Sequence, residues 1–446
     1  NNNGTTVGGA AFAVSAHSVR AALDVTISDG TFNGDVVITA ENYDTVKPTV
    51  AIDEILAEDM NIVDLRPTPT YIYWAQVVAD MTTAPEGYTV DSDGNVEIAN
   101  ATAFAYFMKQ VNVDNQKFDG KTVALTANID LSAYEWTPIA GSFKGTFDGG
   151  NKTISGMSVG VKQSVSSPGL FGGDIVFTVR NLTISNSFVK CAVGGWAGIL
   201  TARPGNGDKG VVANNITICD ATISGGKRIG GMFGTIEKQS SISNCVVRSL
   251  TIQDDLDSDA YAGLIAGQIP ANVPVSLIDV TVTGCSVLKT GIPAGAVLGR
   301  LVSEQTIPLT RVAFDGTLPM FGKIYTDNNG TLVLDDCTIP TSLYAGSNKP
   351  ASVTFTGVGG AYGFQPSTVG TVDADFEEKQ NGSVWTLAVK SVGPQGVVLD
   401  ADGKLYVPYK EGTTEPVEIS FTSISVSGTT VTLTVSGLAG DDGTYD

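Results

Sequence analysis

Short apolar segments bounded by glycine recur along the middle of the chain. Between residues 120 and 340, the first glycines of successive segments are 29, 33, 32 and 32 positions apart. A nearly fixed period of this kind is typical of repeat proteins, in which each repeat buries its apolar face against the next. The segments are 169–172 (GLFG), 198–200 (GIL), 231–234 (GMFG), 263–266 (GLIA) and 295–299 (GAVLG).

A second repeated element lies between these segments. It is a short strand rich in β-branched residues that begins with Asn or Asp, two residues that turn the chain readily. Strands at this interval, joined by tight glycine turns without helical periodicity between them, predict a parallel β-solenoid, and a β-sandwich with glycine turns is the alternative. The strands are 181–184 (NLTI), 215–218 (NITI), 244–247 (NCVV), 279–282 (DVTV) and 336–339 (DCTI).

Apolar residues at helical spacing precede the solenoid. Phe104, Phe107, Met108 and Val111 fall at i, i+3, i+4 and i+7, which predicts a short helix over about 101–112. We expect this helix to lie across the open end of the solenoid, because unpaired strand edges there otherwise invite association between molecules.

The pattern divides the chain into three parts. Residues 1–95 are predicted to form a small β-rich N-terminal region, and residues 96–347 a parallel β-helix with its capping helix. Residues 348–446 carry longer alternating strands with hairpin signals, which predict an immunoglobulin-like β-sandwich. The predicted fold is therefore all-β, with a right-handed parallel β-helix between two flanking β domains.

One segment ahead of the repeats resembles a known family. Residues 118–157 (FDGKTVALTANIDLSAYEWTPIAGSFKGTFDGGNKTISGM) closely resemble the opening segment of bacterial surface proteins that carry GLUG repeats, and 136–139 with 143–149 are the most specific part. The resemblance covers about residues 95–340. It implies a parallel β-helix at the cell surface, a loose association with adhesion, and no common catalytic residues. Thr201 and Ala296 depart from the repeat, so we expect irregular coils there.

Charge and composition exclude several classes of function. Acidic residues exceed basic residues by 46 to 26, and the formal net charge of −20 would repel nucleic acids and anionic lipid. The sequence has a single histidine, His17, so it cannot form a histidine-rich zinc site. No stretch approaches the roughly 18 apolar residues of a membrane-spanning helix. Few lysines and many Thr, Ser, Asn and Gly residues are typical of exported bacterial proteins, so we predict an extracellular, cell-surface location.

Aromatic residues near position 71 are candidates for contacts with sugar rings. Tyr71 and Tyr73 alternate along a predicted strand and would share one of its faces, and Trp74 follows them. Exposed rings at these positions would stack on a glycan. Core packing of the N-terminal region is the alternative, because aromatic residues in strands are usually buried.

An acidic run at 253–260 (QDDLDSDA) is the candidate metal site. Asp255, Asp257 and Asp259 have the 1, 3, 5 spacing of a calcium-binding loop. Ala260 and Ala266 occupy the positions at which an EF-hand needs Gly and Glu, so that motif is excluded. A weak extracellular calcium site and a solvated acidic loop are the two interpretations, and no other cofactor is predicted.

These patterns favour a function without catalysis. We predict an adhesin-like or structural module that binds a glycan or a host protein through the rigid β-helix, and no catalytic residues are assigned. The alternatives are a self-assembling surface or filament subunit and a polysaccharide lyase or hydrolase. Hydrolases need converging carboxylates. A lyase of this fold would use calcium and a base, for which Lys227, Arg228 and Arg248 are candidates without distinctive spacing.

Overall fold

The structure is a computed structural model of the chain. It describes residues 72–390 apart from short gaps at 142, 176, 206–208, 272, 303–305, 325–329 and 346–351. It also describes the backbone of strands within 12–64 and 398–436. Contacts divide the chain into two compact units, Asn1–Val77 and Val78–Asp446.

The first unit contains short strands and one turn of helix. These elements are β1 (Phe12–Ala16), β2 (Asp24–Ile27), β3 (Val36–Ala40), β4 (Thr49–Ile52), β5 (Ile62–Asp64) and α1 (Trp74–Val77). Strand β3 pairs in parallel with β1 and with β5, and β2 pairs in parallel with β4. Successive strands therefore alternate between two parallel sheets, which makes this unit β-rich.

The second unit opens with a hairpin, a helix and the first strands of a long ladder. These are β6 (Tyr88–Val90), β7 (Val96–Ile98), α2 (Ala101–Asn112), β8 (Thr122–Leu125), β9 (Ile129–Asp130), β10 (Thr146–Ser155) and β11 (Ser158–Val159). Strand β7 pairs antiparallel with β6 and parallel with β8, so the hairpin joins the edge of the ladder.

The coils that follow repeat three groups of strands. They begin with β12 (Phe171–Ile175), β13 (Phe177–Ser185), β14 (Phe188–Lys190), β15 (Trp196–Gly198), β16 (Thr201–Pro204), β17 (Lys209–Ser224), β18 (Arg228–Gly230), β19 (Phe233–Thr235), β20 (Gln239–Ile252), β21 (Tyr261–Gly263) and β22 (Ala266–Ile269). They continue with β23 (Val275–Thr283), β24 (Ser286–Val287), β25 (Ala294–Gly295), β26 (Leu298–Leu301), β27 (Thr306–Phe314), β28 (Phe321–Ile324), β29 (Thr331–Asp335), β30 (Thr338–Ile339), β31 (Ser352–Thr356), β32 (Ala361–Tyr362) and β33 (Thr371–Val372).

Three parallel sheets run along the solenoid, which is of the right-handed type and has about seven turns. The long sheet contains β10, β13, β17, β20, β23, β27 and β29 in successive coils. The second sheet has the order β12-β16-β19-β22-β26-β28, and the third has the order β15-β18-β21-β25. The predicted all-β class and parallel solenoid are confirmed.

Apolar side chains at one position of successive coils form the core. Ile154 pairs in register with Ile184, Ile184 with Ile218, and Ile218 with Val247, and all four are fully buried. Burying each such side chain contributes about 1.5–3 kcal/mol. Because successive residues of a strand point to opposite faces, the neighbouring Thr183 lies on the outer face.

The Asn and Asp residues that begin the repeated strands form a column of corners. Asn181, Asn215 and Asn244 have φ angles of 55°, 55° and 53°, and Asp279 and Asp336 adopt the same left-handed conformation. Asn and Asp tolerate this conformation better than most residues. The column is also linked between coils, since Asn215 Nδ2 donates to Asn181 Oδ1 at 3.0 Å. The long sheet can therefore bend at one place in every coil.

The glycines of the repeated segments bring the second and third sheets back to back. Gly198, Gly230 and Gly263 pair in register in the third sheet. A Cβ on Gly230 would overlap the carbonyl oxygen of Phe233 in the second sheet, so the close approach of the two backbones requires glycine. Gly230 is therefore the structural equivalent of Gly198. The sequence analysis aligned Gly231 with Gly198, which is wrong by one residue, because strand β18 ends at Gly230 and Gly231 lies in the bend that follows it.

Helix α2 has the bounds that the sequence predicts. The Asn100 side chain accepts a hydrogen bond from the Ala103 N–H at 2.8 Å and so caps the first turn. The helix packs against the first strands of the ladder, including β6 and β9. Its predicted apolar face is buried, namely Phe104, Phe107, Met108 and Val111.

Parallel pairing continues beyond residue 347, where the sequence predicts a new domain. Strand β31 pairs with β29, β32 with β30, and β33 with β31. The predicted boundary at 348 therefore falls within the ladder. Alternation of inward and outward residues is the same in parallel and antiparallel strands, so it does not mark where the ladder ends.

An antiparallel hairpin follows the last parallel strands. It consists of β34 (Phe376–Asn381) and β35 (Val384–Val389), and a 3-10 helix, Pro366–Thr368, precedes it. Strand β35 also pairs antiparallel with β32, so the hairpin joins the far end of the ladder.

The C-terminal part contains one antiparallel sheet. Its strands are β36 (Val398–Leu399), β37 (Leu405–Val407), β38 (Val417–Ser427) and β39 (Thr430–Ser436), in that spatial order. The antiparallel pairing agrees with the sequence prediction. A β-sandwich needs a second sheet facing the first, and the strands described in 398–436 form only one.

Candidate functional site

An open groove of about 620 Å³ crosses the outer face of the long sheet. Four of its lining residues, Thr178, Val212, Ser241 and Ser276, pair in register one coil after another. Coils stack about 4.8 Å apart, so these small side chains recur at that interval along the solenoid. Val212 keeps 48% of its surface exposed. The groove therefore presents a regular row of small side chains to solvent.

The wall of the groove is rigid and its chemistry is mostly neutral. Phe177 lines the groove, is 3% exposed, and packs on Phe171 with ring centroids 4.3 Å apart. The hydroxyl groups of Thr178, Ser241 and Ser276 can each donate and accept hydrogen bonds. Among the described lining residues, Lys144 carries the ionisable side chain. Hydroxyl groups beside an apolar surface suit a neutral polar ligand such as a sugar.

Arginine and aromatic side chains interleave where the second and third sheets meet. The Arg203 guanidinium lies 5.0 Å from the ring centroid of Trp196, and that of Arg228 lies 5.5 Å from the same ring. Arg300 lies 5.0 Å from the ring centroid of Tyr261. These distances are within the range of cation–π attraction. We call these five residues the cation ladder.

Two neutral side chains adjoin the cation ladder. Gln268 Oε1 accepts a hydrogen bond from Arg228 Nε at 2.7 Å, and Gln268 pairs in register with Thr235 and with Arg300. The Thr235 hydroxyl is buried and has no hydrogen-bond partner among the described residues. A buried hydroxyl without a partner is uncommon, since leaving it unsatisfied costs about 1–3 kcal/mol.

Arginines elsewhere on the solenoid have a different environment. Arg180 and Arg311 each donate to an aspartate of the preceding coil, at 2.8 Å and 2.5 Å. In the cation ladder, Arg203 lies 3.8 Å from Glu237, and Arg228 donates to the neutral Gln268. Arg228 thus contacts an aromatic ring and a neutral amide group, whereas Arg180 and Arg311 contact carboxylates.

The first aspartate of the predicted calcium loop supports a neighbouring corner. Asp255 accepts hydrogen bonds from the Ser224 hydroxyl at 2.6 Å and from the Gly225 N–H at 2.9 Å. The slight burial of this carboxyl would raise its pKa, but the two hydrogen bonds lower the pKa of Asp255 below its ordinary value. The ionised carboxylate therefore stabilises the left-handed turn at Gly225.

The other two aspartates of the loop have different partners. Asp257 accepts a hydrogen bond from the Gly194 N–H at 2.7 Å, and Asp259 forms an ion pair with Lys227. The hydrogen bond from Lys227 lowers the pKa of Asp259. Within the described ranges, no three acidic, His or Cys side chains converge as metal ligands. The calcium site stays a prediction from spacing.

The structure separates the candidate aromatic residues. Trp74 begins helix α1 and is 5% exposed, and Tyr73 before it is half-buried. Helix α1 replaces the continued strand that the sequence predicts, because Gln76 Oε1 accepts hydrogen bonds from the N–H groups of Ile72 and Tyr73 at 2.7 and 2.9 Å. Burial of Trp74 favours core packing for that residue. Tyr71 and His17 lie outside the described residues.

Sequence reasoning did not find the cation ladder, although a signal was present. Its members keep a constant distance from the stacked glycines of the third sheet, once Gly230 is taken as the equivalent of Gly198. With Gly295 as the fourth glycine, the residues five positions after the glycines are Arg203, Thr235, Gln268 and Arg300, and the residues two positions before them are Trp196, Arg228, Tyr261 and Pro293.

Comparisons with known proteins do not identify a family for this chain, so the fold class is assigned from the strand pairing. No family model matches the chain, and no curated protein matches it. A solved structure from Bacteroides ovatus, provisionally described as an immunoglobulin A1 protease, is similar over 64% of this chain and 75% of that chain, with 18% identity and a TM-score of 0.36. Among the described helices, none is long and apolar enough to cross a membrane.

Proposed function

We propose that the chain is a non-catalytic, adhesin-like module of an exported cell-surface protein, and that it holds a glycan in the groove of the long sheet. The observation that carries this proposal is the in-register row of Thr178, Val212, Ser241 and Ser276. Ladder hydrogen bonds fix these positions relative to one another, so binding an extended ligand there requires little ordering of the protein.

The chemistry of the groove supports a neutral sugar chain. The hydroxyl groups would exchange hydrogen bonds with sugar hydroxyls, and the exposed Val212 and Pro308 would contact the apolar faces of sugar rings. Lys144 would add a single hydrogen-bond donor with a positive charge. The resemblance to GLUG-repeat surface proteins supports the cell-surface location, which is part of this proposal.

A glycan array with the full chain tests the proposal. Ser241→Trp places a large ring in the groove, and Thr217→Trp places the same ring at another half-buried position of the outer face of the same sheet. We expect saturable binding to at least one neutral glycan, and we expect Ser241→Trp to weaken binding by about tenfold or more while Thr217→Trp leaves it within about twofold.

Two results would overturn the proposal. One is the absence of saturable binding to any neutral glycan, with calcium and with chelator. The other is an equal loss of binding in Ser241→Trp and Thr217→Trp. Incubation with the same glycans should also leave them intact; new reducing ends or unsaturated products would instead support the polysaccharide lyase or hydrolase.

Self-association is the second candidate function. Helix α2 and the β6–β7 hairpin cover one end of the ladder, and the β34–β35 hairpin joins the other, which weighs against end-to-end stacking of solenoids. Among the described strands, β36 and β39 lie at the edges of the antiparallel sheet. We propose that this sheet belongs to an immunoglobulin-like sandwich. If molecules assemble through the edge strands β36 and β39, the mass measured by light scattering should rise with protein concentration.

A further inference from the structure

The groove on the outer face of the long sheet runs parallel to the solenoid axis. Most of its lining residues belong to five strands in succession, namely β13, β17, β20, β23 and β27. Each of these strands pairs in parallel with the next. Coils stack about 4.8 Å apart, so the five strands span about 19 Å. The groove therefore crosses the strands from coil to coil, and an elongated ligand in it would lie along the rod.

The cross-section of the groove suits a single extended chain. Its volume of about 620 Å³, spread over a length of about 19 Å, corresponds to a mean cross-section of about 33 Å². This area is close to that of one straight sugar chain, whereas a helically coiled chain is several times wider. The shape of the groove therefore favours a glycan whose linkages keep it straight.

The distance between coils matches one type of glycosidic linkage. In a β-1,4-linked chain of hexoses, each sugar advances along the chain by nearly the same distance as one coil of the solenoid, about 4.8 Å. Glucans with α-1,4 or β-1,3 linkages form helices, so each of their sugars advances by less. One position of successive coils is occupied by Thr178, Val212, Ser241 and Ser276. A β-1,4-linked chain can therefore place one sugar beside each of these residues.

Several side chains of the groove are available to a ligand. Among the described residues, the side chains of Thr178 and Gln239 have no hydrogen-bond partner, and both line the groove. The Ser276 hydroxyl donates to the Ser241 hydroxyl at 3.4 Å, a long contact that leaves both hydroxyl groups with further capacity. Pro308 is exposed and adds an apolar surface. The groove can therefore exchange hydrogen bonds with a ligand without breaking strong contacts of its own.

We propose that the groove binds a neutral β-1,4-linked glycan, which lies along the solenoid axis with one sugar per coil. This inference rests on the function proposed for the groove, and it adds the linkage, the direction and the length of the ligand. Five strands line the groove, so about five sugars fill it. Because strand pairing holds the row in place, each added sugar binds without further ordering of the protein and increases the affinity.

Calorimetry on the full chain tests the proposal with oligosaccharides that differ in linkage and in length. Cello- and chito-oligosaccharides of two to seven sugars are the β-1,4-linked probes. Malto- and laminari-oligosaccharides contain the same glucose units as the cello-oligosaccharides, joined by α-1,4 and β-1,3 linkages. The variant Ser276→Trp blocks the row towards one end, and Thr217→Trp is the control elsewhere on the outer face of the same sheet. Thermal melting checks that each variant keeps its fold.

We expect at least one of the β-1,4-linked series to bind about tenfold or more tightly than malto- and laminari-oligosaccharides of the same length. The affinity for that series should rise with length up to about five sugars and then level off. In Ser276→Trp it should level off at about three sugars, because Thr178, Val212 and Ser241 stay open. Thr217→Trp should leave the dependence on length unchanged.

Three results would overturn this inference and leave the function proposed for the groove in place. One is binding of malto- or laminari-oligosaccharides as tight as that of both β-1,4-linked series, with a loss in Ser241→Trp. Another is an affinity that does not rise beyond two sugars. The third is the same dependence on length in Ser276→Trp as in the unchanged protein, because the ligand would then cross the groove instead of following it. Absence of binding to every neutral glycan would overturn both proposals, so the two failures can be told apart.

Discussion

Phe104 of helix α2 lies flat against Trp136 of the first coil, with ring centroids 4.8 Å apart and ring planes 4° from parallel. Trp136 is fully buried, and its indole N–H donates to the Leu170 carbonyl of the next coil at 3.0 Å. The capping helix is thus joined to two coils through one pair of rings. This pair closes the end of the solenoid at which α2 lies.

Phe104→Ala should therefore destabilise the solenoid and open its end. Truncating a buried phenylalanine costs about 3–5 kcal/mol, and a loosened cap would expose strand edges. We expect a lower denaturation midpoint and a dimer or larger species in light scattering. Phe104→Leu is the conservative control and should stay monomeric. A monomeric Phe104→Ala protein with an unchanged midpoint would show that the helix does not act as a cap.

The left-handed corners predict an unusual order of substitutions at Asn215. Its φ angle is 55°, a conformation that costs a residue with a Cβ about 1–2 kcal/mol. Asn215→Gly should therefore destabilise less than Asn215→Ala, the reverse of the usual order in regular secondary structure. The difference is measured as the free energy of unfolding in urea, with Thr217→Ala as the control. Equal effects of Gly and Ala would mean that the corner conformation is not strained.

Gly230 should tolerate no larger side chain. A Cβ there would overlap the Phe233 carbonyl oxygen and would lie 2.7 Å from the Ala266 Cα. Gly230→Ala should cost about 3 kcal/mol or more, because backbone atoms of two packed sheets must move apart. Gly291→Ala is the control, since a Cβ at Gly291 meets nothing within 4 Å and only its positive φ opposes the change. Thermal melting compares the stability of the two variants. A smaller loss of stability in Gly230→Ala than in Gly291→Ala would contradict the close packing of the second and third sheets.

Stability should depend on pH through Asp255. Its pKa is lowered in the folded state, so its contribution is present above the unfolded pKa of about 3.9 and is lost as pH falls through the folded value. Asp255→Asn should therefore lower the free energy of unfolding by about 0.5–1 kcal/mol near pH 7, since the site is exposed. The difference in free energy of unfolding between Asp255→Asn and the unchanged protein should shrink below about pH 4.

The exposed neighbour Asp254 provides the control for this pH dependence. Asp254→Asn makes the same change of charge without removing the carboxylate that Ser224 and Gly225 contact. Urea unfolding of both variants at a series of pH values makes the comparison. Two outcomes would contradict the role of Asp255 as the acceptor for Ser224 and Gly225. One is a loss of stability in Asp255→Asn that stays constant down to pH 3, and the other is an equal loss in Asp254→Asn.

The sequence predicts those features that depend on neighbours along the chain. Helix α2 follows from the spacing of Phe104, Phe107, Met108 and Val111, and the corners follow from Asn or Asp ahead of β-branched residues. Both patterns are local, because the residues that form them lie within a few positions of one another. The same is true of the alternation that predicts the strands of the ladder.

Features that depend on contacts between coils could not be predicted in the same way. The alignment of Gly230 with Gly198 needs the register between strands, and without it Arg228 does not share a position with Trp196 and Tyr261. The acidic loop shows the same limit. Asp255 and Asp257 are two positions apart in sequence, yet they bond to Gly225 and Gly194, which lie in earlier parts of the solenoid.

The register of the glycines has a consequence for the length of the molecule. Gly198, Gly230 and Gly263 occupy equivalent points of successive coils, so removing residues 230–262 would join two equivalent points of the backbone. Such a deletion would shorten the rod by one coil, about 4.8 Å, and leave its cross-section unchanged. The length of the row of exposed side chains on the outer face would then change in whole steps, set by the number of coils.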